Sequence, residues 1–374
     1  MSWSIFHAES EKLAIEAQLA HGARRLDDAL ELYRRAADAE KRALDAVDVS
    51  KTRTRGVTAV SAVALWFKAG EYALAEQLAH AMLADAAMPS FARDELRNLV
   101  QAIWTESSKK AAGVAFVPGQ VTVSVKGGEV VTGGAPLDLI VDKVQTIQAI
   151  FYRTIELLNG VVHRRVGRPS KELQDSCRPW LFQAAPGSYQ FSVAIQKPSQ
   201  PDFFKQDVEP EHIAQQFLEI VSASAADDVQ TLEKLVPDET YRSTFRKLTR
   251  NLAPTGKSFE RIELRASGDA KPVSLGVESR AAINHNLRAQ TIPPEVTVAV
   301  AQPEQQELRG TLRAVDLDKD WLDVVVDGVS NHVVGVQDAV DDVIGPMVNR
   351  AVVVRVTRSP RDNKLNYVDI ELVE

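Results

Sequence analysis

Seven histidines, one cysteine and a few clusters of like charge are the side chains in this 374-residue chain whose types could carry chemistry. His7, His21, His80, His163, His212, His285 and His332 never fall at a metal-ligand spacing, and neither HExxH nor HxxEH occurs. Cys177 precedes Arg178, a neighbour able to lower a thiol pKa, but the flanking residues match no cysteine-protease pattern and an unreactive thiol is expected. GxSxG, GxxxxGK[ST] and GxGxxG are all missing. Gly133-Gly134 invites a phosphate-loop reading, yet Pro136 and Asp138 would oppose an anion at the helix start that follows. Asp316, Asp318, Asp320 and Asp327 repeat the 1, 3, 5 and 12 ligand spacing of a calcium loop, so they are the only metal candidates. Position six of that loop holds Trp321 instead of glycine and strands flank the run, so an acidic turn is expected. No catalytic residue and no cofactor is assigned.

One basic cluster stands out, HRRVGRPSKEL, with Arg164, Arg165, Arg168 and Lys171. Closely spaced cations of this kind neutralise phosphates. Gly167-Arg168-Pro169 resembles half of an AT-hook, which implies minor-groove contact; Val166 and Ser170 depart from that motif. A solvated loop is the first expectation, and nucleic-acid contact through these four side chains is the alternative. The charge distribution bears on the choice. The whole chain carries −7, and residues 291–374 hold 15 acidic and 8 basic side chains, whereas residues 111–200 hold 6 and 9. The acidic quarter would repel a duplex, and the basic segment is too short to reverse that globally.

The elements that must position these residues fall into three stretches, 1–108, 109–290 and 291–374. The first reads as helix throughout, at about 4–22, 25–47, 54–69, 71–86 and 90–104, with apolar residues at three- and four-residue spacing. Gly70 separates the third and fourth helices, and Pro89-Ser90 opens the fifth. Two segments here resemble tetratricopeptide (TPR) repeats: Ala17, Ala29, Tyr33 and Ala36 match in the first, and Trp66, Gly70, Tyr72 and Ala75 in the second. Small residues let the paired helices approach while the aromatic fills the gap between them. Ala29 and Ala75 lie 46 residues apart instead of about 34, so the second helix of the first unit is expected to be overlong. The resemblance implies a protein-binding surface.

The second stretch reads as α+β with helices against a small sheet. A hairpin over 114–131 about Gly127-Gly128, a helix at 137–159, a strand at 188–195, helices at 210–224, 227–236 and 239–251, a strand at 258–266 and a helix at 275–289 are expected. The third stretch holds short strands at 296–301, 307–317, 321–328, 331–336, 350–359 and 365–373, with a short helix near 338–343. That pattern suggests a small acidic β-barrel, OB-like or SH3-like. The central and C-terminal parts resemble, in general character, uncharacterised bacterial proteins of accessory or defence loci.

Apolar residues at 45% and charged residues at 25% exclude a disordered chain, a collagen-like repeat and a disulfide scaffold. No apolar run spans a bilayer and the N-terminus lacks a secretory signal pattern, so a cytoplasmic protein with no membrane partner is expected, and the resemblance above implies a bacterial one. The reading is a multidomain α+β, non-catalytic adaptor or regulatory subunit that binds a protein partner through its helical arm; a homo-oligomer is compatible with this. The alternatives are a nucleic-acid-associated subunit and an enzyme with a pocket in the central domain.

Overall fold

The computed structural model describes residues 2–113, 115–117, 119–131, 133–182, 189–198, 203–204, 212–226, 229–266, 272–291, 305–359 and 363–373. It divides into two compact units, Met1–Ala115 with Phe182–Ser192 and Phe116–Leu181 with Val193–Glu374.

The first unit is built on five helices, α1 (Trp3–Gly22), α2 (Leu26–Ala46), α3 (Thr52–Lys68), α4 (Tyr72–Ala84) and α5 (Ser90–Ala111). Alanine-rich faces make the packing close: Ala17, Ala36, Ala59, Ala62, Ala75 and Ala79 are fully buried in one core with Tyr33, Trp66 and Leu96. Gly56 is the extreme case, because a Cβ there would come within 2.7 Å of Pro89 Cγ across the contact between α3 and the start of α5. α2 has 21 residues and α4 has 13. Gly70 ends α3 with φ +77, a conformation that a missing Cβ makes easy.

A five-stranded sheet, most of whose residues belong to the second unit, has the order β2-β3-β1-β4-β5. Its strands are β1 (Val121–Lys126), β2 (Pro179–Phe182), β3 (Gln190–Ile195), β4 (Arg261–Ala266) and β5 (Val273–Gly276). The helices of the unit are α6 (Leu137–Leu158), α7 (Lys171–Ser176), α8 (Ile213–Ala225), α9 (Val229–Leu235), α10 (Glu239–Leu252) and α11 (Val277–Thr291). α8 lies against β4 and β5 and packs with α6, α10 and α11. Phe151 and Phe217 stack there at 4.1 Å, a ring pair contributing about 0.5–1.5 kcal/mol beyond its buried area. The expected 114–131 hairpin does not form. β1 pairs antiparallel with β4, Val123 opposite Leu264, while Val131 only bridges to Gly134. Gly127-Gly128 instead lets the chain pass tightly by residues 258–260, since a Cβ on Gly128 would lie 2.6 Å from the Ser258 carbonyl oxygen. Alternation announces a strand; it does not name the strand's partner.

The C-terminal strands are β6 (Gln305–Asp316), β7 (Trp321–Val326), β8 (Val329–Val334), β9 (Ala351–Arg358) and β10 (Leu365–Leu372), with α12 (Asp341–Ile344) and a 3-10 turn, Gly345–Met347, between β8 and β9. β6 pairs with both β7 and β9, β7 with β8, β9 with β10, and β8 closes the ring by a short parallel contact with β10. β6 serves two neighbours by bending. Gly310 sits under the Val325 carbonyl, where a side chain would collide, and the register shifts between Leu312 and Ala314. The strand expected at 296–301 lies outside the described residues. Among the described residues no helix is long and apolar enough to cross a membrane.

Candidate functional site

The basic loop after α6 is stitched into the C-terminal ring. Arg164 donates from Nε to Glu156 at 3.2 Å and from Nη2 to Asp342 at 2.9 Å, and also reaches the Gly167 carbonyl. Arg165 donates to the carbonyls of Leu317 and Val336 at 2.9 and 3.0 Å and approaches Asp320 at 3.5 Å. The backbones join as well: Asp341 N–H donates to the Arg165 carbonyl at 3.0 Å, and Gly167 N–H to the Asp341 carboxylate at 3.1 Å. Arg168 and Lys171, the other two cations of the cluster, remain exposed. The expected solvated loop therefore holds only for Arg168 and Lys171, and the four cations of the alternative, phosphate-contact reading do not share a single surface. Two of them hold the ring to the body and two face solvent.

A second row of cations does the same work from the helices. Arg250 on α10, fully buried, grips Asp369 with both nitrogens at 2.5 and 3.1 Å and the Ile370 carbonyl at 2.5 Å. Arg153 donates to Asp342 at 2.7 Å, Arg280 reaches Glu371 at 3.5 Å and the Leu372 carbonyl at 3.2 Å, and Asp142 receives Arg350 from the ring. Four acidic residues of the last quarter, Asp320, Asp342, Asp369 and Glu371, are counter-charges to this basic face. Burial alone would raise the Asp369 carboxyl; Arg250's charge and hydrogen bonds, then Lys247 and Arg355, hold it below the usual carboxylate range. Sequence reasoning missed these residues. The signal was available in ETYRSTFRKLTRNL, where Arg246, Lys247 and Arg250 interleave with the buried Tyr241, Phe245, Leu248 and Leu252.

Between α10 and the ring lies an open cavity of about 980 Å³, at the upper end of the range for small-molecule sites. Asp238 caps the helix, accepting from Thr240 N–H at 2.8 Å and Tyr241 N–H at 3.0 Å, and so fixes the turn that presents Glu239, Thr240 and Ser243 to the cavity. His163 donates or accepts with Thr244 Oγ1 at 2.9 Å and meets Tyr241 edge-on at 4.9 Å. Burial first, and then the Arg153 charge, push the imidazole down to about 4, so it is neutral at physiological pH. A hydroxyl–imidazole pair has the reach of a nucleophile and its base. Here, though, the Thr244 hydroxyl lies in a helix residue only 1% exposed, which marks a packing bond. Lys247, 6% exposed, also lines the cavity and donates to the Asp338 carbonyl at 2.9 Å. Its desolvation lowers the ammonium pKa, against an opposite pull from Asp369.

In the helical unit the repeat-like positions are scaffold. Ala17, Ala29, Ala36 and Ala75 are buried at the helix contacts, Tyr33 and Trp66 fill the core, Tyr72 packs against it, and Gly70 forms a turn. Exposed apolar side chains lie elsewhere: Ile15 and Leu19 on α1, one turn apart, and Leu26 and Leu30 on α2, at the same end of the hairpin, are each 45–68% exposed. The reason is visible in α1, whose apolar residues occur on both sides. Leu13, Ala17 and Ala20 face the core and Ile15 and Leu19 do not.

The four aspartates do not converge. Asp316 is occupied by the backbone and side chain of Lys319 at 2.9 and 3.1 Å, which hold its carboxyl below the usual range. Asp318 and Asp320 share that turn, while Asp327 sits beyond the far end of the six-residue β7, about 20 Å away. Cys177 is fully buried, and burial pushes its thiol up to about 12, so it is protonated. No group of three His, Cys, Asp or Glu side chains able to hold a metal occurs among the described residues. No family model matches the chain, and neither a curated protein nor a solved structure does.

Proposed function

We propose that this chain is a non-catalytic adaptor or regulatory subunit of a bacterial cytoplasmic complex, which captures a protein partner on its helical arm. The observation that carries the reading is the set of exposed apolar side chains Ile15, Leu19, Leu26 and Leu30 at one end of the first hairpin. Where such side chains form one contiguous patch they are the usual mark of a protein contact. Burying four of them would contribute several kcal/mol, at about 1.5–3 kcal/mol for each full burial. In this reading α1–α2 and α3–α4 are TPR-like hairpins closed by α5, and the rigidly docked ring is structural. Replacing Leu19 and Leu30 together by glutamate tests it. The arm should keep its helical spectrum and melting temperature, and a protein recovered in stoichiometric amount with the wild type should be lost.

A second reading, a nucleic-acid-associated subunit, draws on the ring. Its third and fifth strands pair in parallel and a short helix precedes the fourth strand, an arrangement that favours an OB-like over an SH3-like barrel. With Arg164 and Arg165 spent on the ring, only Arg168 and Lys171 of the loop are left for phosphates. The log–log salt slope on duplex DNA should then be about −2 at most. A steeper slope with sub-micromolar affinity at physiological salt would favour this reading over the first.

A further inference from the structure

The cavity beside α10 is built around a buried cation, Lys247, that feels the charge of Asp369 but has no carboxylate within ion-pair distance among the described residues. Of the buried basic side chains turned toward the ring, Arg153, Arg164, Arg250 and Arg280 each reach a carboxylate oxygen within 3.5 Å. Lys247 does not. Its Nζ has three N–H groups and one acceptor, the Asp338 carbonyl, and no carboxylate lies within ion-pair distance among the described residues. A buried ammonium left this way costs free energy unless something supplies acceptors. One turn earlier on the same helix, Ser243 lines the cavity with a hydroxyl that has no hydrogen-bond partner among the described residues; Arg288, at an exposed position on α11, adds a cation, and Arg165 and Arg355 also line the cavity but are paired with Asp320 and with Asp369, Glu371 and Glu307. Gln305 and Gln337 of the opposite wall carry neutral amides. Glu239, Glu307, Asp338 and Asp369 also line it, and they disfavour a polyanion.

We propose that this cavity binds a small hydroxyl-rich metabolite bearing a single acidic group, with the acid on Lys247 and Ser243 and the hydroxyls on the glutamine amides. Carboxylate and phosphate monoester share the required chemistry: negative oxygens that accept from an ammonium and a hydroxyl. The site belongs wholly to the second unit and does not depend on the adaptor reading, which concerns the helical arm.

Thermal shift and equilibrium dialysis on the full chain test the site, with gluconate, glucose 6-phosphate and glucose as probes and sodium chloride at matched ionic strength. Gluconate or glucose 6-phosphate should raise the melting temperature where glucose and salt do not, and the stronger of the two identifies the acid. Lys247→Met should weaken that binding by about ten- to hundredfold, the loss of a hydrogen-bonded charge, while Lys319→Met on an exposed turn leaves it unchanged. If Lys247→Met does not fold, Ser243→Ala, which removes a hydroxyl and nothing else, should weaken binding by about threefold to tenfold. The proposal is overturned if neither acid exceeds the salt control, or if binding survives both substitutions.

Discussion

Replacing Asp369 by asparagine keeps the shape of the side chain and removes the negative charge that two arginines share. Arg250, fully buried, would retain the Ile370 carbonyl and Asn284 as acceptors, while Arg355 would keep Glu371 at 2.8 Å and Glu307 at 3.5 Å. The perturbation therefore falls on Arg250. Leaving one member of a buried ion pair uncompensated costs about 3–5 kcal/mol, and the two surviving acceptors place the expected loss near the lower figure, about 3 kcal/mol. With a urea m-value of roughly 3 kcal/mol/M, the midpoint of the second unit should fall by about 1 M. Removing both charges, Arg250→Met with Asp369→Leu, should restore most of the loss, because two apolar side chains need no counter-ion. The acid limb gives an independent check. Asp369 titrates lower in the folded than in the unfolded chain, so its contribution is present above the unfolded value near 4 and is lost as pH falls through the lower folded value. Asp369→Asn should flatten that limb. A single variant within about 0.5 kcal/mol of wild type, or a double variant as unstable as the sum of the singles, would refute the claim that this pair locks the ring to the body.

Other expectations concern single side chains. Arg165→Ala should cost about 1–3 kcal/mol by stranding the Leu317 and Val336 carbonyls, while the exposed Arg168→Ala should change stability by less than about 0.5 kcal/mol; urea midpoints distinguish them. Gly310→Ala should destabilise the ring by several degrees in a thermal melt, because the obstacle is the rigid carbonyl of Val325. His163 should stay neutral down to about pH 4 in an NMR titration. Its folded pKa lies below the unfolded value near 6.5, so stability is full above 6.5 and declines as pH falls toward 4, and His163→Gln should remove that part of the slope.

The longer helices were legible from three- and four-residue spacing, and α3 and α6 also from Gly70 and Gly160 just past their ends. The ring strands were legible from alternation, and the α+β class followed from both. The 114–131 segment was misread because β1's partner lies about 140 residues downstream, and nothing local in GGEVV says that its valines do not return. The short β2, β5 and α7 carry too few residues for a period to show. The cavity was not legible at all. Its lining runs from His163 to Asp369, drawn together by topology instead of a motif. The one hint was electrostatic: a basic middle before an acidic last quarter, part of which, Arg153, Arg164 and Arg165 with Asp320 and Asp342, meets in the structure.

The adaptor reading stands or falls on the outer face of the first hairpin. A benzophenone amino acid placed at position 19 of the full chain, in cells of the native host, tests that face directly under ultraviolet light. The account predicts one discrete heavier product, absent without light and absent when the probe sits at position 319 on an exposed turn of the ring. No adduct from position 19, or the same products from both positions, would contradict it.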